Sequence, residues 1–395
     1  MKRSGRLEGQ QDAVLHAAHA FISGGYERVV RNEPAAFGTD LYQVLAEGAG
    51  DLVFSPSSVA GALQMAWYGA RGETAAELAR ALHLERDAEP GTAPAPPHVQ
   101  GAAVFLAPST AWLQSGFAVR PEFTAQLSRL AGAQLASADF AAAPDRARAG
   151  INQAIAGQTE GKITDLLPAD HVTRLTRLVL VSAVYFKAAW VTPFPPDATG
   201  DAPFYPDGRD RPGLAVPTMH GTATRDYLRG DGYQAVLLPY RDTSLAMAVV
   251  LPDGPLSELR PKLAAAGLSG LLAGAARHQV ELALPRFRLE ARFYLVPVLR
   301  QLGITAAFGS AADFGGITGA ARLSISDVVH QAYIDVDEHG TEAAAATATV
   351  IRGMAAFRTP PPATVIVDRP FLFAILDSAT GLPLFLGQVS RPRSA

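Results

Sequence analysis

The sequence predicts an α+β fold, and three observations predict it. Helix signals crowd the first half of the 395-residue chain and strand signals the second, the arrangement of segregated helices and sheets and not of alternating βαβ units. Residues 178–190, LVLVSAVYFKAAW, form an almost unbroken apolar run rich in valine and aromatics, as expected of a strand buried on both faces in the middle of a large sheet. No stretch reads as an interdomain linker and no internal repeat is visible, so the elements belong to one core.

Composition supports a globular chain: 48% of residues are hydrophobic and 18% charged. A net charge of −3 gives no broad attraction to nucleic acid or anionic lipid, so neither is expected as a partner. The absence of cysteine excludes disulfides, thiolate catalysis and cysteine–zinc sites. No segment approaches the roughly 18 apolar residues of a membrane span. Lysine occurs only at positions 2, 162, 187 and 262 while arginine and alanine abound, a skew that points to a GC-rich bacterial genome.

Taken in order, the elements read as follows. Residues 1–35 read as an amphipathic leader: the start is basic, but Glu8, Asp12, His16, His19 and Ser23 break up the apolar core that a secretory signal needs. The expected location is therefore cytoplasmic, or outside by an unconventional route. Ser55-Pro56 is an N-cap followed by proline at the first helical position, with Val59, Leu63 and Trp67 at helical spacing behind it. Thr74 and Glu77 read as the capping box of a second helix. Residues 85–98, ERDAEPGTAPAPPH, are too proline-rich for helix or central strand. GAAVFLA then reads as strand, RPEFTAQLSRLAGAQL as helix, and INQAIAGQTEGKITDLLP as a helix stopped by Gly161 and continued in extended form. Further strands are AVLLPY, LAMAVVLP, QVELALPRFRLE, ATVIVDRPFLFAIL and PLFLGQV, and ARFYLVPVLRQLG reads as a helix ending at Gly303.

The chain lacks the parts of a familiar enzyme. It has no G-x-S-x-G, S-x-x-K, H-E-x-x-H, Walker loop or G-x-G-x-x-G after a strand. Asp335, Asp337, Glu338, His339 and Glu342 could suggest a metal site, but such a charge run at a strand end reads as a solvated loop, and no metal or cofactor is expected. In ISDVVHQAYIDVDE the residues alternate with period two and place His330 on the more apolar face, where a histidine is most often a satisfied core residue. Gly340 then breaks the strand. Beyond it Thr341, Ala343, Ala345 and Thr347 would share one side of an extended run, and all are small enough to slot between existing strands. Alanine carries little preference for strand, so the run suits a loop in one state and a buried strand in another.

Matches that recur in a fixed order identify a family. FSPSSVAGALQMAWYGARGETAAELARAL, INQAIAGQTEGKITDLL, LVLVSAVYFKAAW, VPTMH, VLLPY, ADFGGI, ISDVVHQAYIDVDEHGTEAAAATA, DRPFLFAI and LFLGQV resemble the serpins, the serine protease inhibitor superfamily, over almost the whole chain after residue 36. The resemblance implies a single serpin domain over 36–395 with three β-sheets, eight or nine helices and an exposed reactive-centre loop at about 339–360. It implies a monomer that catalyses nothing. The target serine protease cleaves the loop, is held as an acyl-enzyme, and is dragged as the cleaved loop inserts into the main sheet. The hinge would comprise Glu338, Gly340, Thr341, Glu342, Ala343, Ala344, Ala345, Ala346 and Thr347, whose small residues resemble those of inhibitory members. The family's usual spacing from Glu338 places the reactive bond at Met354-Ala355, which favours a chymotrypsin-, elastase- or subtilisin-like target. Arg352 and Arg358 are alternatives that would mean a trypsin-like one, and a cysteine protease is the less favoured class. A non-inhibitory serpin acting as a carrier is the competing reading. Ser55, Ser58, Ser182 and His330 match the polar cluster beneath the sheet opening, except that the family usually has asparagine at Ser182, so the network must be rewired or bridged by water. The proline-rich 85–98 stands where many serpins carry a basic helix, so activation by a sulfated polysaccharide through that element is not expected.

Overall fold

The structure is a computed structural model that describes residues 33–48, 50–84, 103–130, 132–169, 171–319, 322–342 and 361–393. Among them stand seven α-helices and three 3-10 turns. The helices are α1 (Glu33–Leu45), α2 (Pro56–Gly69), α3 (Gly72–Ala81), α4 (Pro121–Leu127), α5 (Pro144–Gln158), α6 (Leu259–Leu272) and α7 (Val296–Gln301). The first helix starts ahead of position 36. The strands of the main sheet are β2 (Val104–Leu106), β3 (Ser109–Gln114), β4 (Ala133–Ala138), β5 (Leu178–Ala189), β11 (Phe287–Tyr294), β12 (Ile325–Val336) and β13 (Gly340–Thr341). They run in the order β11-β12-β13-β5-β3-β4, with β2 also on β5.

The other strands are β1 (Leu52–Phe54), β6 (Gly200–Phe204), β7 (Leu214–Gly230), β8 (Tyr233–Pro239), β9 (Leu245–Pro252), β10 (Ala276–Pro285), β14 (Ala363–Ile366), β15 (Phe371–Asp377) and β16 (Pro383–Val389). They form one path, β1-β16-β15-β9-β8-β7-β10-β14, with β6 on β7. The long β7 divides it: residues 214–218 pair with β6, 218–227 with β10, and only 226–230 with β8. β6, β7, β10 and β14 thus make the third sheet of an α+β fold.

β5 holds the centre because every second residue serves a different core. Leu178 and Leu180 pack with α2, Val179, Val181 and Ala183 lie under α5, and Val184 and Phe186 face the second sheet. The cap at Ser55 is present, its Oγ accepting from Ser58 N at 3.2 Å.

Four local expectations are corrected. The helix read over 120–135 ends at Leu127, and Ala133–Ala138 instead pairs in parallel with β3. QVELALPRFRLE is two strands in different sheets, broken at Arg286. The helix read from Ala291 begins only at Val296, because Ala291–Tyr294 pair with β12. Finally, α3 begins at Gly72, and Thr74 and Glu77 serve other segments: Thr74 accepts from Asp313 N, while Glu77 accepts from the N–H groups of Thr305 and Ala306 at 2.7 Å. A cap spacing that reads as local is satisfied across the fold.

Candidate functional site

The residues singled out near the C-terminus converge on the line between β5 and β12. Over most of its length the two strands pair directly and in parallel, from Ile325↔Leu178 to Tyr333↔Tyr185. At one end they part. After β12 the chain turns on the Asp337 carboxylate, whose Oδ1 accepts from His339 N at 2.7 Å and Gly340 N at 3.1 Å. Gly340 and Thr341 then enter between the strands as β13, with Thr341 opposite both Val336 and Ala188. Only glycine fits the first position: a Cβ on Gly340 would stand 2.1 Å from the Ala188 carbonyl oxygen, and φ is +156°. Thr341 is fully buried, and its hydroxyl meets the Tyr240 hydroxyl at 2.7 Å.

Two carboxylates hold this end. Glu338, read from sequence as part of a solvated loop, is 2% exposed. Arg286, at the break between β10 and β11, donates to it from Nε at 2.8 Å and Nη2 at 2.6 Å, and the Thr199 hydroxyl donates as well. Burial alone would raise its carboxyl; Arg286 and Thr199 outweigh that and hold it below the ordinary carboxylate range. Asp337, Glu338 and His339 do bring ligand atoms within 4.8 Å of one another, but Glu338 is spent on Arg286 and Thr199 and Asp337 on the turn. Glu342, at φ +47°, follows β13 and places one oxygen on Lys162 Nζ at 2.7 Å and the other on the Tyr185 hydroxyl at 2.5 Å. Desolvation opposes its charge, yet Lys162 and the Tyr185 and Tyr333 hydroxyls pull its carboxyl below the ordinary range.

Farther along, a buried polar cluster closes the line. Ser55 N donates to His330 Nε2 at 2.9 Å, so that nitrogen is an acceptor and the proton sits on Nδ1, 3.1 Å from the Ser182 carbonyl and 3.0 Å from its hydroxyl. Ser182 Oγ reaches Ser58 Oγ at 2.7 Å, so the shorter side chain closes the network without a bridging water. Ser109, missed in sequence, donates to the Ser58 carbonyl at 3.4 Å. Burial depresses the His330 imidazole to about 3, with its bond to Ser182 opposing, and the ring is neutral.

The structure therefore brings together Ser55, Ser58, Ser182, His330, Glu338, Gly340, Thr341 and Glu342. Ala343, Ala344, Ala345, Ala346, Thr347, Arg352, Met354, Ala355 and Arg358 lie outside the described residues. Sequence reasoning missed Tyr240, Arg286, Thr199, Lys162, Tyr185 and Tyr333. Only Lys162 carried a signal, as one of four lysines in a chain that otherwise uses arginine.

Comparison with known proteins is consistent with this architecture. The family model for serpin (serine protease inhibitor) matches residues 32–392. A serpin-like protein of Thermococcus kodakarensis is 36% identical over 384 residues, 94% of this chain and 88% of its own length. The human leukocyte elastase inhibitor is 35% identical over 373 residues, 90% of this chain and 97% of its own. The solved structure of Serpin48 from the insect Tenebrio molitor superposes with a TM-score of 0.80 at 28% identity, covering 93% of this chain and 100% of that one.

Proposed function

The chain belongs to the serpin family, and from that premise we propose that it inhibits a serine protease as a suicide substrate. In this reading residues 36–395 are one inhibitory domain behind a leader at 1–35, and the reactive-centre loop spans about 339–360. The protease attacks Met354-Ala355, its serine is acylated by Met354, and the loop then inserts between β12 and β5. Ser55, Ser58, Ser182 and His330 control the parting of those strands.

The observation that carries the reading is that Gly340 and Thr341 are already paired between the two strands. Their register can be continued. Because Thr341 faces Val336 and Ala188, each further residue would pair one step down both strands, and Thr347 would arrive between His330 and Ser182. Ala343 and Ala345 would face the closely packed Ile334, Phe186, Ala332 and Val184, where a larger side chain would overpack. A threonine would thus reach the buried position that offers hydrogen bonds, and alanines the apolar ones.

The magnitude is adequate. Cross-strand pairs contribute roughly 0.2–1 kcal/mol each, so about 15 inserted residues release several to about 15 kcal/mol. A protease has a stability of about 5–15 kcal/mol, so its active site can be distorted.

The test is a denaturing gel after mixing with chymotrypsin, elastase, subtilisin or trypsin, with mass analysis of the released fragment. We expect a stable higher-mass band with a fragment beginning at Ala355. A fragment beginning at Gly353 or Thr359 moves the bond to Arg352 or Arg358. Complete cleavage by every protease with no such band would overturn inhibition in favour of a non-inhibitory carrier.

A further inference from the structure

The segment linking α5 to β5 does more than connect them. Asn152 of α5 holds it through the N–H and carbonyl of Leu167, both at 2.9 Å, and Lys162 ties its beginning to Glu342 beside the hinge. Its far end reaches over β12. There His171 Nε2 pairs with the Asp327 carboxylate, and its ring lies on that of Tyr294 of β11, with centroids 4.2 Å apart. The segment then returns to β5, and Arg177 N donates to Ser326 Oγ at 3.0 Å.

This path has a mechanical meaning. His171 belongs to the chain that becomes β5, and Asp327 belongs to β12. The pair therefore ties together the two strands that must separate, at the end opposite β13. Both side chains are mostly shielded, 24% and 15% exposed, so solvent screens the pair less than a surface ion pair. The imidazole pairs with Asp327 of β12 and lies against Tyr294 of β11, and the charged Arg174 and Arg177 follow it within its own segment. Arg177 donates Nη1 to the Arg174 and Thr176 carbonyls, and among the described residues the ion pair of His171 is with Asp327.

We propose that His171 and Asp327 form a pH-sensitive tie across the β5–β12 line, which slows strand insertion when His171 is protonated. The inference rests on the insertion mechanism proposed above. A hydrogen bond between imidazolium and carboxylate, both charged, is stronger than one from a neutral imidazole to the same carboxylate, and histidine is the side chain that changes charge between pH 5 and 8. His330 stays neutral across that range and does not compete. Lowering pH thus tightens the tie and leaves the cluster at His330 unchanged.

The test uses the intact protein and a synthetic peptide of residues 341–354, with its uptake followed on native gels from pH 5.5 to 8. Uptake by the parent is expected to quicken by about 3- to 10-fold across this range, as the ion pair gives way to a bond between a neutral imidazole and the carboxylate. His171→Gln and Asp327→Asn should both take up peptide at a rate near the parent's at pH 8, whatever the pH. A slope in both variants equal to the parent's would overturn the tie while leaving insertion intact. Uptake by none of the proteins at any pH would overturn the insertion mechanism, and the tie's role with it.

Discussion

The two stretches of the β5–β12 line differ in how they are held. At the hinge end β13 has entered, and what surrounds it is ionic and reaches outward: Glu338 to Arg286, Glu342 to Lys162. Around His330 the strands are in direct register, and what joins them is neutral, buried and short: a serine, a histidine and a backbone N–H. Charges can be exchanged for water as a strand passes. A buried neutral network must find new partners or leave polar groups unsatisfied, at about 1–3 kcal/mol each. In the proposed mechanism the parted end is thus where insertion would begin, and the neutral cluster where it would be resisted.

The sharpest way to break this contrast is at the entry. Thr341→Arg would place a charge in a fully buried position against Tyr240. The yield of trapped protease per loop cleaved should fall by about 100-fold or more, because a buried unpaired charge costs several kcal/mol. Densitometry of complex and cleaved bands measures it, and an unchanged ratio would remove β13 from the mechanism.

The next effect belongs to the closed stretch. The unfolded chain protonates its histidines near pH 6.5, whereas buried His330 resists down to about 3. The unfolded state therefore binds the extra proton first, and stability is lost as pH falls below 6.5. Between pH 7 and 4.5 the loss should be on the order of 2–3 kcal/mol, read from urea unfolding. His330→Gln should flatten the curve over that interval; an equal slope in the variant would mean that other groups supply it. The depressed carboxyls of Glu338 and Glu342 add a second loss only below about pH 4.5, as they take up protons.

The smallest effect sharpens the contrast at the other end. Glu342→Gln removes the ion pair with Lys162, which is 38% exposed, and should cost only about 0.5–1 kcal/mol of stability. A loss of several kcal/mol in the same urea titration would mean that the hinge end is held as firmly as the cluster.

What could be read from sequence follows the range of the interactions. β5 was legible because burial on both faces writes itself as a continuous apolar run, and His330 because period two assigns it a face. The Ser55 cap was legible because its partner is three residues away. Glu338 was misread because nothing near it in the chain announces Arg286 or Thr199, and a charge run with unseen partners reads as solvated. Thr74 and Glu77 were misread for the converse reason: their spacing fits a local cap, while their partners come from residues 305–313. The pairing of Glu342 with Lys162 and Tyr185 joins three segments, and no one of them signals it alone.

The turn at Asp337 also bears on how the chain reaches this fold. β12 and β13 form a hairpin closed by Asp337 N to the Gly340 carbonyl and Glu342 N to the Asp335 carbonyl, each at 3.0 Å, and its contacts are among the most local in the main sheet. The pairing it competes with joins residues as distant in the chain as Val181 and Val329. Local contacts form sooner, because distant ones must first meet the entropy of closing a long loop. If the loop can insert as proposed, a newly made chain is thus in a race: β5 would have to capture β12 before the hairpin extends past Glu342 into the place between them. Gly340, the residue type that fits against the Ala188 carbonyl, lets the hairpin start, and Glu342, whose carboxylate is held by Lys162, opposes its extension. On this view they decide the order of folding as much as its end point.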